Sequence, residues 1–311
     1  MEGIQQTIFT AFKGAPSFTV SEAYKAVLEK KNVNTESIRA RIYEGVSKGL
    51  FDRISRGVYK ICKDASSVLC ILGDGRDLSD IPDASISAIV TDHPYEDKKA
   101  HQGGNREFAA YDCFRYTKED FEAKFRVLIN GGFLVEFLPA ESESNFEYLY
   151  QLKKFALDAG FMYYAKVNWK KGKFVANTGR SSKNTEEIMI FSKGKPRSLR
   201  PNVKKDLKEP GQKHYMSGTA KMLPTCFDYD PPNQKNRIHQ AEKPVELLED
   251  LLSYISLEDE VVLDQFAGSG NLGVACLKTK RNAILIEKSK EIFDKMVNNL
   301  NKTGSTCLPA F

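Results

Sequence analysis

Val261-Val262-Leu263-Asp264-Gln265-Phe266-Ala267-Gly268-Ser269-Gly270-Asn271-Leu272-Gly273 reads as a buried strand ending in an acid, then a glycine loop, then the first turn of a helix. Glycines let the main chain approach a ligand closely, and a helix N-terminus presents unpaired N–H groups. The next strand, Asn282–Glu287, also ends in an acid. A carboxylate at Glu287 can accept hydrogen bonds from both hydroxyls of an adenosine ribose.

Gly268, Gly270 and Gly273 formally satisfy the G-x-G-x-x-G spacing of a dinucleotide fingerprint, and Glu287 lies near its expected acid. Taken alone, the loop leaves a dinucleotide and a sulfonium cofactor both open. Two features weigh against the dinucleotide. Asp264 precedes the glycines across the spacer Gln265-Phe266-Ala267, and an acid there suits the cationic methionine end of a sulfonium cofactor better than a pyrophosphate. Only 24 residues follow Glu287, too few to complete a dinucleotide fold. The rest of the sheet must come from upstream, in a circularly permuted order.

Upstream, strands and helices alternate. Val68–Leu72 and residues 86–90 are short apolar runs, and residues 121–128 read as a helix stopped by Asn130-Gly131-Gly132. Residues 133–137 return as a strand, residues 146–159 as a helix ending at Gly160, and residues 161–169 and 187–191 as two strands joined by a basic loop. Residues 245–255 and a segment after Glu287 are helical. This alternation predicts an α/β fold with a mainly parallel sheet over residues 64–311. Residues 193–238 are rich in Lys, Pro and Gly without periodicity, and so long an irregular stretch is often functional.

The strand Ile89-Val90-Thr91 runs into Asp92-His93-Pro94-Tyr95. Together with the glycine loop, this tetrapeptide resembles the (Asp/Asn/Ser)-Pro-Pro-(Tyr/Phe) signature of the DNA methyltransferases that act on adenine N6 or cytosine N4. The resemblance spans most of residues 68–300. Ile71-Leu72-Gly73-Asp74, Arg126-Val127-Leu128-Ile129-Asn130-Gly131-Gly132, Ala159-Gly160-Phe161 with Asn168-Trp169-Lys170-Lys171, and His239-Gln240-Ala241-Glu242-Lys243-Pro244 each resemble a further family segment. Each is weak alone; their order is specific, and a tetrapeptide preceding the cofactor loop is the β-group arrangement.

The resemblance implies a Rossmann-like methyltransferase fold with S-adenosylmethionine as cofactor. Asp92 supplies a side-chain acceptor for the target amine, the carbonyl at position 93 a second acceptor, and Tyr95 a face for the flipped base. Pro94 completes the tetrapeptide. Asp264, Phe266, Gly268, Ser269, Gly270 and Glu287 carry the cofactor, with Lys243, Pro244 and Asp74 beside it. His93 departs from the family, which has proline there and thereby a fixed φ. Asp in the first position points to adenine N6, since cytosine N4 enzymes often carry Ser. Rival readings are a cytosine N4 enzyme, a DNA-binding homologue impaired in catalysis with His93 as its sign, and an RNA methyltransferase.

Residues 1–63 read as a separate unit. Residues 4–12, 20–28 and 38–50 have helical periodicity, and residues 51–61 alternate around an Arg56-Gly57 turn. Three helices and a hairpin resemble a winged helix-turn-helix, which implies Arg39, Arg41 and Lys48 in a major groove and Arg53 and Arg56 on phosphates. Charge is segregated accordingly. Residues 1–63 carry a net +5 and residues 166–213 a net +10, leaving −10 elsewhere in a chain of net +5. Basic charge confined to two segments is the footprint expected of a face that meets double-stranded DNA. Lys170, Lys171 and Arg180 on the basic loop join the expected DNA contacts, and residues 193–238 the target-recognition insert. Trp169 reads as core packing ahead of DNA contact.

Six scattered cysteines and four histidines form no ligand cluster, so no metal is expected and the thiols are expected reduced and mostly buried. No run approaches a membrane span, and the N-terminus lacks the pattern of a secretory signal, so a cytoplasmic protein is expected. A homodimer and a cognate restriction nuclease are partners compatible with the resemblance.

Overall fold

In the computed structural model the described residues are 3–12, 15, 17–47, 50–61, 66–95, 113–172, 185–200, 222–233, 237–238, 241–302 and 307–310. Lys48, Arg180, His239 and Gln240 lie outside them, as does most of the 193–238 segment.

The N-terminal unit runs α1 (Ile4–Phe12), β1 (Phe18–Thr19), α2 (Val20–Leu28), α3 (Thr35–Ser47), β2 (Phe51–Ser55) and β3 (Val58–Ile61). Thr19 and Glu22 form a reciprocal capping box that starts α2. The strands make an antiparallel sheet in the order β1-β3-β2, and Ile8, Val27, Ile38, Ile42, Phe51 and Tyr59 close its core. Ile38 and Ile42 stand one turn apart on the inner face of α3, which leaves Arg39 and Arg41 exposed. Arg53 and Arg56 on the hairpin are exposed as well.

The larger unit is a nine-stranded sheet of β4 (Val68–Leu72), β5 (Ile86–Thr91), β6 (Leu128–Pro139), β7 (Phe161–Lys170), β8 (Thr185–Lys193), β9 (Cys226–Asp228), β10 (Val261–Asp264), β11 (Asn282–Glu287) and β12 (Cys307–Ala310), in the order β12-β4-β11-β10-β5-β6-β8-β7-β9. All pairs from β12 to β6 are parallel, whereas β8 runs antiparallel to both β6 and β7. Helices α4 (Lys118–Val127) and α5 (Phe146–Asp158) cover one face; α6 (Val245–Ile255), α7 (Asn271–Lys278) and α8 (Lys290–Lys302) cover the other. Residues of β6 alternate between the two cores, Phe133, Val135 and Phe137 facing one and Leu134 and Leu138 the other. This is a Rossmann-like α/β fold.

Strand β10 is late in the chain yet central in the sheet, flanked by β11 and β5. From β10 the chain moves outwards on one side through α7 to β11, and from β5 outwards on the other through α4 to β6. The carboxyl ends of β10 and β5 therefore face the crevice where doubly wound sheets place ligands.

Two details differ from the expected element pattern. Strand β6 starts at Leu128, directly after α4, and Asn130-Gly131-Gly132 forms an irregularity within it in place of a turn. Gly131 adopts φ +78°, and a Cβ at Gly132 would sit 2.8 Å from the carbonyl oxygen of Ser87, so two glycines let the strand bend and stay paired. Strands β9 and β12 were not expected: three or four residues leave no periodicity to read, and sheet pairing alone makes them strands.

Candidate active site

Hydrogen bonding between β5 and β10 pairs Ile89 with Leu263, which brings the ends of the two strands side by side. Thr91 Oγ1 donates to Asp264 Oδ1 at 3.0 Å, so the residue before Asp92 is bonded to the acid that precedes the glycine loop. Asp264 also accepts from Phe266 N–H at 3.1 Å. Burial pushes its carboxyl up to about 7 against these two bonds. A protonatable acid at a strand end, deep in a crevice, is suited to gain a cationic partner.

Gly268 adopts φ +52° and nothing lies within 4 Å of the place its Cβ would take, so the loop presents main chain to open space. Its N–H donates to Glu287 Oε2 at 3.0 Å, and Ser289 N–H donates to Oε1 at 2.8 Å. Each carboxylate oxygen keeps a further lone pair for hydroxyl donors. Gly270, at φ +78°, starts α7, and a Cβ there would meet Met296 Cγ at 2.6 Å. Ser269 is buried, its carbonyl tied to Asn299. Phe266 lies 5.3 Å from the ring of Phe114, which links the loop to the tetrapeptide because Phe114 N–H bonds the carbonyl of Pro94 at 3.1 Å. Asp74 is exposed at the end of β4, 3.4 Å from Lys288 Nζ.

Asp92 keeps 23% of its side-chain surface open, enough for a ligand atom to reach it. Tyr95 is half-buried beside it. Lys243, buried at the start of α6, gives its ammonium to Asp92 Oδ2 at 2.5 Å and to Glu186 Oε2 at 3.2 Å. Its carbonyl accepts from Asn271 Nδ2 at 2.9 Å, at the first residue of α7. Lys243 thus turns its charged end to the tetrapeptide and its main chain to the glycine loop. Pro244 is the cap of α6 and accepts from Leu248 N–H. Burial pushes Asp92 above the usual carboxylate range against the pull of Lys243. Burial also acts to raise Glu186, but Lys243 and Lys171 outweigh it and hold Glu186 low. The two carboxylates hold Lys243 protonated.

Beneath Asp92, His93 is buried, with Nε2 2.6 Å from Tyr148 Oη and Nδ1 3.8 Å from Glu136 Oε2. Glu136 is ion-paired with Lys124, and both are fully buried. Glu136, Lys124, Tyr148, Tyr116 and Glu186 were not singled out in the sequence. A signal existed for two of them. Glu136 interrupts the apolar run Phe133-Leu134-Val135-Glu136-Phe137, and Lys124 falls on the inward phase of α4 between Phe121 and Val127.

The described part of the basic stretch is laced with ion pairs. Lys170 pairs with Asp228 at 2.6 Å, Lys171 with Glu186, and Lys166 with Glu187 at 3.1 Å. Lys193 caps α4 through the carbonyls of Phe125 and Leu128, Arg197 pairs with Glu260 and Arg200 with Asp250. Lys170 and Lys171, expected to contact DNA, thus each have a carboxylate partner across the sheet. Trp169 is 2% exposed and donates to the carbonyl of Tyr229, as core packing requires. Of the described thiols, Cys70 and Cys276 are buried, Cys113 is partly buried and Cys226 is exposed. Among the described residues no group of acids, histidines and cysteines is arranged to hold a metal, and no helix is long and apolar enough to cross a membrane.

Comparison with known proteins agrees with this geometry. Residues 86–298 match the model of the N6/N4 methyltransferase family described as DNA methylase. The type II methyltransferase M.HpaI of Haemophilus parainfluenzae is 28% identical over 232 residues, which cover 72% of this chain and 71% of that one. The fold is shared with M1.HpyAVI, solved in complex with SAM (TM-score 0.53, 21% identity, 75% of this chain and 99% of that chain). It is shared too with the PvuII DNA methyltransferase, described as cytosine-N4-specific (TM-score 0.52, 18% identity, 78% and 95%). With the tetrapeptide strand and the glycine-loop strand adjacent in one sheet, and the family match running through both, the chain belongs to the DNA methylase family.

Proposed function

We propose that the protein transfers a methyl group from S-adenosylmethionine to N6 of an adenine flipped out of double-stranded DNA. The observation that carries this reading is the bond between Thr91 and Asp264, which sets Asp92 beside the glycine loop. The residues fit the cofactor. Open space at Gly268 admits it, Glu287 retains acceptor capacity for ribose hydroxyls, and Asp264 gains the cation that offsets its burial. When bound, S-adenosylmethionine supplies a methyl group on a cationic sulfur, open to direct displacement.

An aryl amine is a weak nucleophile because its lone pair is delocalised into the ring. Asp92 accepts one amine hydrogen and the carbonyl of His93 accepts the other, which draws the nitrogen towards tetrahedral geometry and stabilises the charge that grows on it. Lys243 favours the ionised form of Asp92 against its burial and holds one of its oxygens, so that the other meets the base. Tyr95 stacks on the extruded ring. The nitrogen gains the methyl, and one of its protons is then lost.

Residues 1–63 are proposed as a winged-helix DNA-binding domain, with Arg39, Arg41 and Lys48 on the groove side and Arg53 and Arg56 on phosphates. Residues 193–238, with the loop bearing Arg180, are proposed to read the target. The test is transfer of labelled methyl to mixed-sequence duplex DNA, followed by nucleoside chromatography, with Asp92→Ala as control. N6-methyladenine is expected, and the control falls about 10²–10³-fold. N4-methylcytosine alone overturns the choice of base. No incorporation despite cofactor binding overturns catalysis in favour of a DNA-binding homologue.

A further inference from the structure

The cluster under the tetrapeptide has a composition that packing alone does not explain. His93, Glu136 and Lys124 are all buried, and isolated buried charges are costly. They are joined in one network. Lys124 pairs with Glu136, Glu136 faces His93 Nδ1 at 3.8 Å, and His93 Nε2 meets Tyr148 Oη at 2.6 Å. Tyr148 Oη also accepts from the N–H of Tyr116 at 3.3 Å. A hydroxyl has one proton to give. With Tyr148 Oη already accepting from Tyr116, its own proton finds a partner in Nε2, and Nδ1 then faces Glu136 Oε2 across 3.8 Å, an electrostatic contact beyond hydrogen-bond reach. The ring of Tyr116 lies 4.1 Å from the imidazole centroid and blocks its remaining freedom.

Every anchor sits on a different element. Glu136 belongs to β6 and stands opposite Thr91 of β5 in the sheet register, Tyr148 to α5, and Lys124 to α4. The imidazole is thus fixed to the rigid frame two residues beyond Thr91. The main-chain carbonyl at position 93 is the second amine acceptor of the proposed reaction. Family members with proline at this position restrain the same stretch by fixing φ through the ring. Histidine has no such restraint of its own.

We infer that Tyr148 and Glu136 are positioning residues for amine methylation, holding the carbonyl of His93 in place through its side chain and so replacing the constraint a prolyl ring imposes. The inference rests on the reading of Asp92–Tyr95 as the amine-binding tetrapeptide. Neither Tyr148 nor Glu136 touches the reacting atoms; both act through His93.

A double-mutant cycle over Tyr148→Phe and His93→Pro separates this role from packing. Phenylalanine keeps the ring of Tyr148 and removes only the hydroxyl. In the otherwise natural chain, Tyr148→Phe lowers kcat about tenfold while KM for DNA and the dissociation constant of S-adenosylmethionine stay within about twofold. In the His93→Pro background, where the ring restrains the loop by itself, the further loss caused by Tyr148→Phe shrinks below about twofold. Hydrogen exchange of the 91–95 peptide follows the same pattern, faster in Tyr148→Phe and restored in the double variant. An equal loss in both backgrounds, or no loss in either, overturns the inference. Inactivity of the natural chain sinks the proposed function, and hydrogen exchange then still decides the anchoring. If His93→Pro does not fold, the kcat and KM split of Tyr148→Phe and Glu136→Gln takes its place. Unchanged kcat, or a loss that merely tracks a lower Tm, counts against the inference.

Discussion

Replacing Lys243 by methionine removes the one cation ion-paired with Asp92 among the described residues while keeping the length and bulk of the side chain. Glu186 retains Lys171 after the change, so the charge left without a partner is that of Asp92. Opposite charges about 4 Å apart attract by about 4 kcal/mol at an effective dielectric of 20, which is about a 10³-fold change in the balance between ionised and protonated acid. Burial already raises Asp92 with Lys243 in place, and losing the lysine moves it further in the same direction. A protonated Asp92 donates where the amine needs an acceptor. Lys243→Met is therefore expected to lose about 10²–10³ in kcat at neutral pH and to regain close to tenfold per pH unit as the pH rises, since each step restores the carboxylate. Lys243→Arg, which keeps the charge, loses far less. The assay is the initial rate of methyl transfer at saturating cofactor from about pH 6.5 to about pH 9. A natural rate in Lys243→Met at neutral pH, or a deficit of constant size across the range, would refute the role given to the lysine.

Other outcomes follow from the same structure. Asp264 is pushed up to about 7 by burial, and a cationic ligand binds its ionised form, so the affinity for S-adenosylmethionine rises close to tenfold per unit as pH approaches 7 from below and then levels off. Calorimetry in buffers of different ionisation heat should show a proton released on binding below pH 7 and none well above it; pH-independent affinity excludes the carboxylate from the contact. The same raised pKa makes ligand-free protein lose stability as pH rises towards 7, because the folded state favours the proton, and Asp264→Asn removes that slope from the Tm profile. Gly270→Ala combines a left-handed φ of +78° with a clash against Met296, and is expected to cost about 1–3 kcal/mol by denaturant titration; a neutral result shows that α8 yields easily. Arg39→Ala with Arg56→Ala weakens duplex binding and reduces the slope of log affinity against log salt by about 2, whatever the sequence of the duplex. An unchanged slope removes the N-terminal unit from the DNA interface.

Legibility in the sequence followed locality. The glycine loop, its flanking acids Asp264 and Glu287, and the end of β5 at Asp92 are contiguous segments whose chemistry reads directly from residue order. Most helices and strands were readable because apolar spacing repeats within each element. β9 and β12 carry no such repeat, and the bend at Gly131 depends on its partner strand. The pairing of the basic run near residue 170 was unreadable for a related reason. Net charge along the chain does not reveal that Glu186, Glu187 and Asp228 stand across the sheet from those lysines.

The sequence by itself determined the class of fold, the order of its two chemical segments and the residue types in each, because these are properties of short windows of chain. Tertiary structure alone decided that Thr91 meets Asp264 from 173 residues away and that Lys243 reaches Asp92 across 151. It alone, too, gathered His93, Glu136, Lys124 and Tyr148 into one buried cluster. Strand adjacency in a parallel sheet is set by crossovers between segments distant in the chain, so the partners of a buried charge are chosen by packing and not by sequence neighbours.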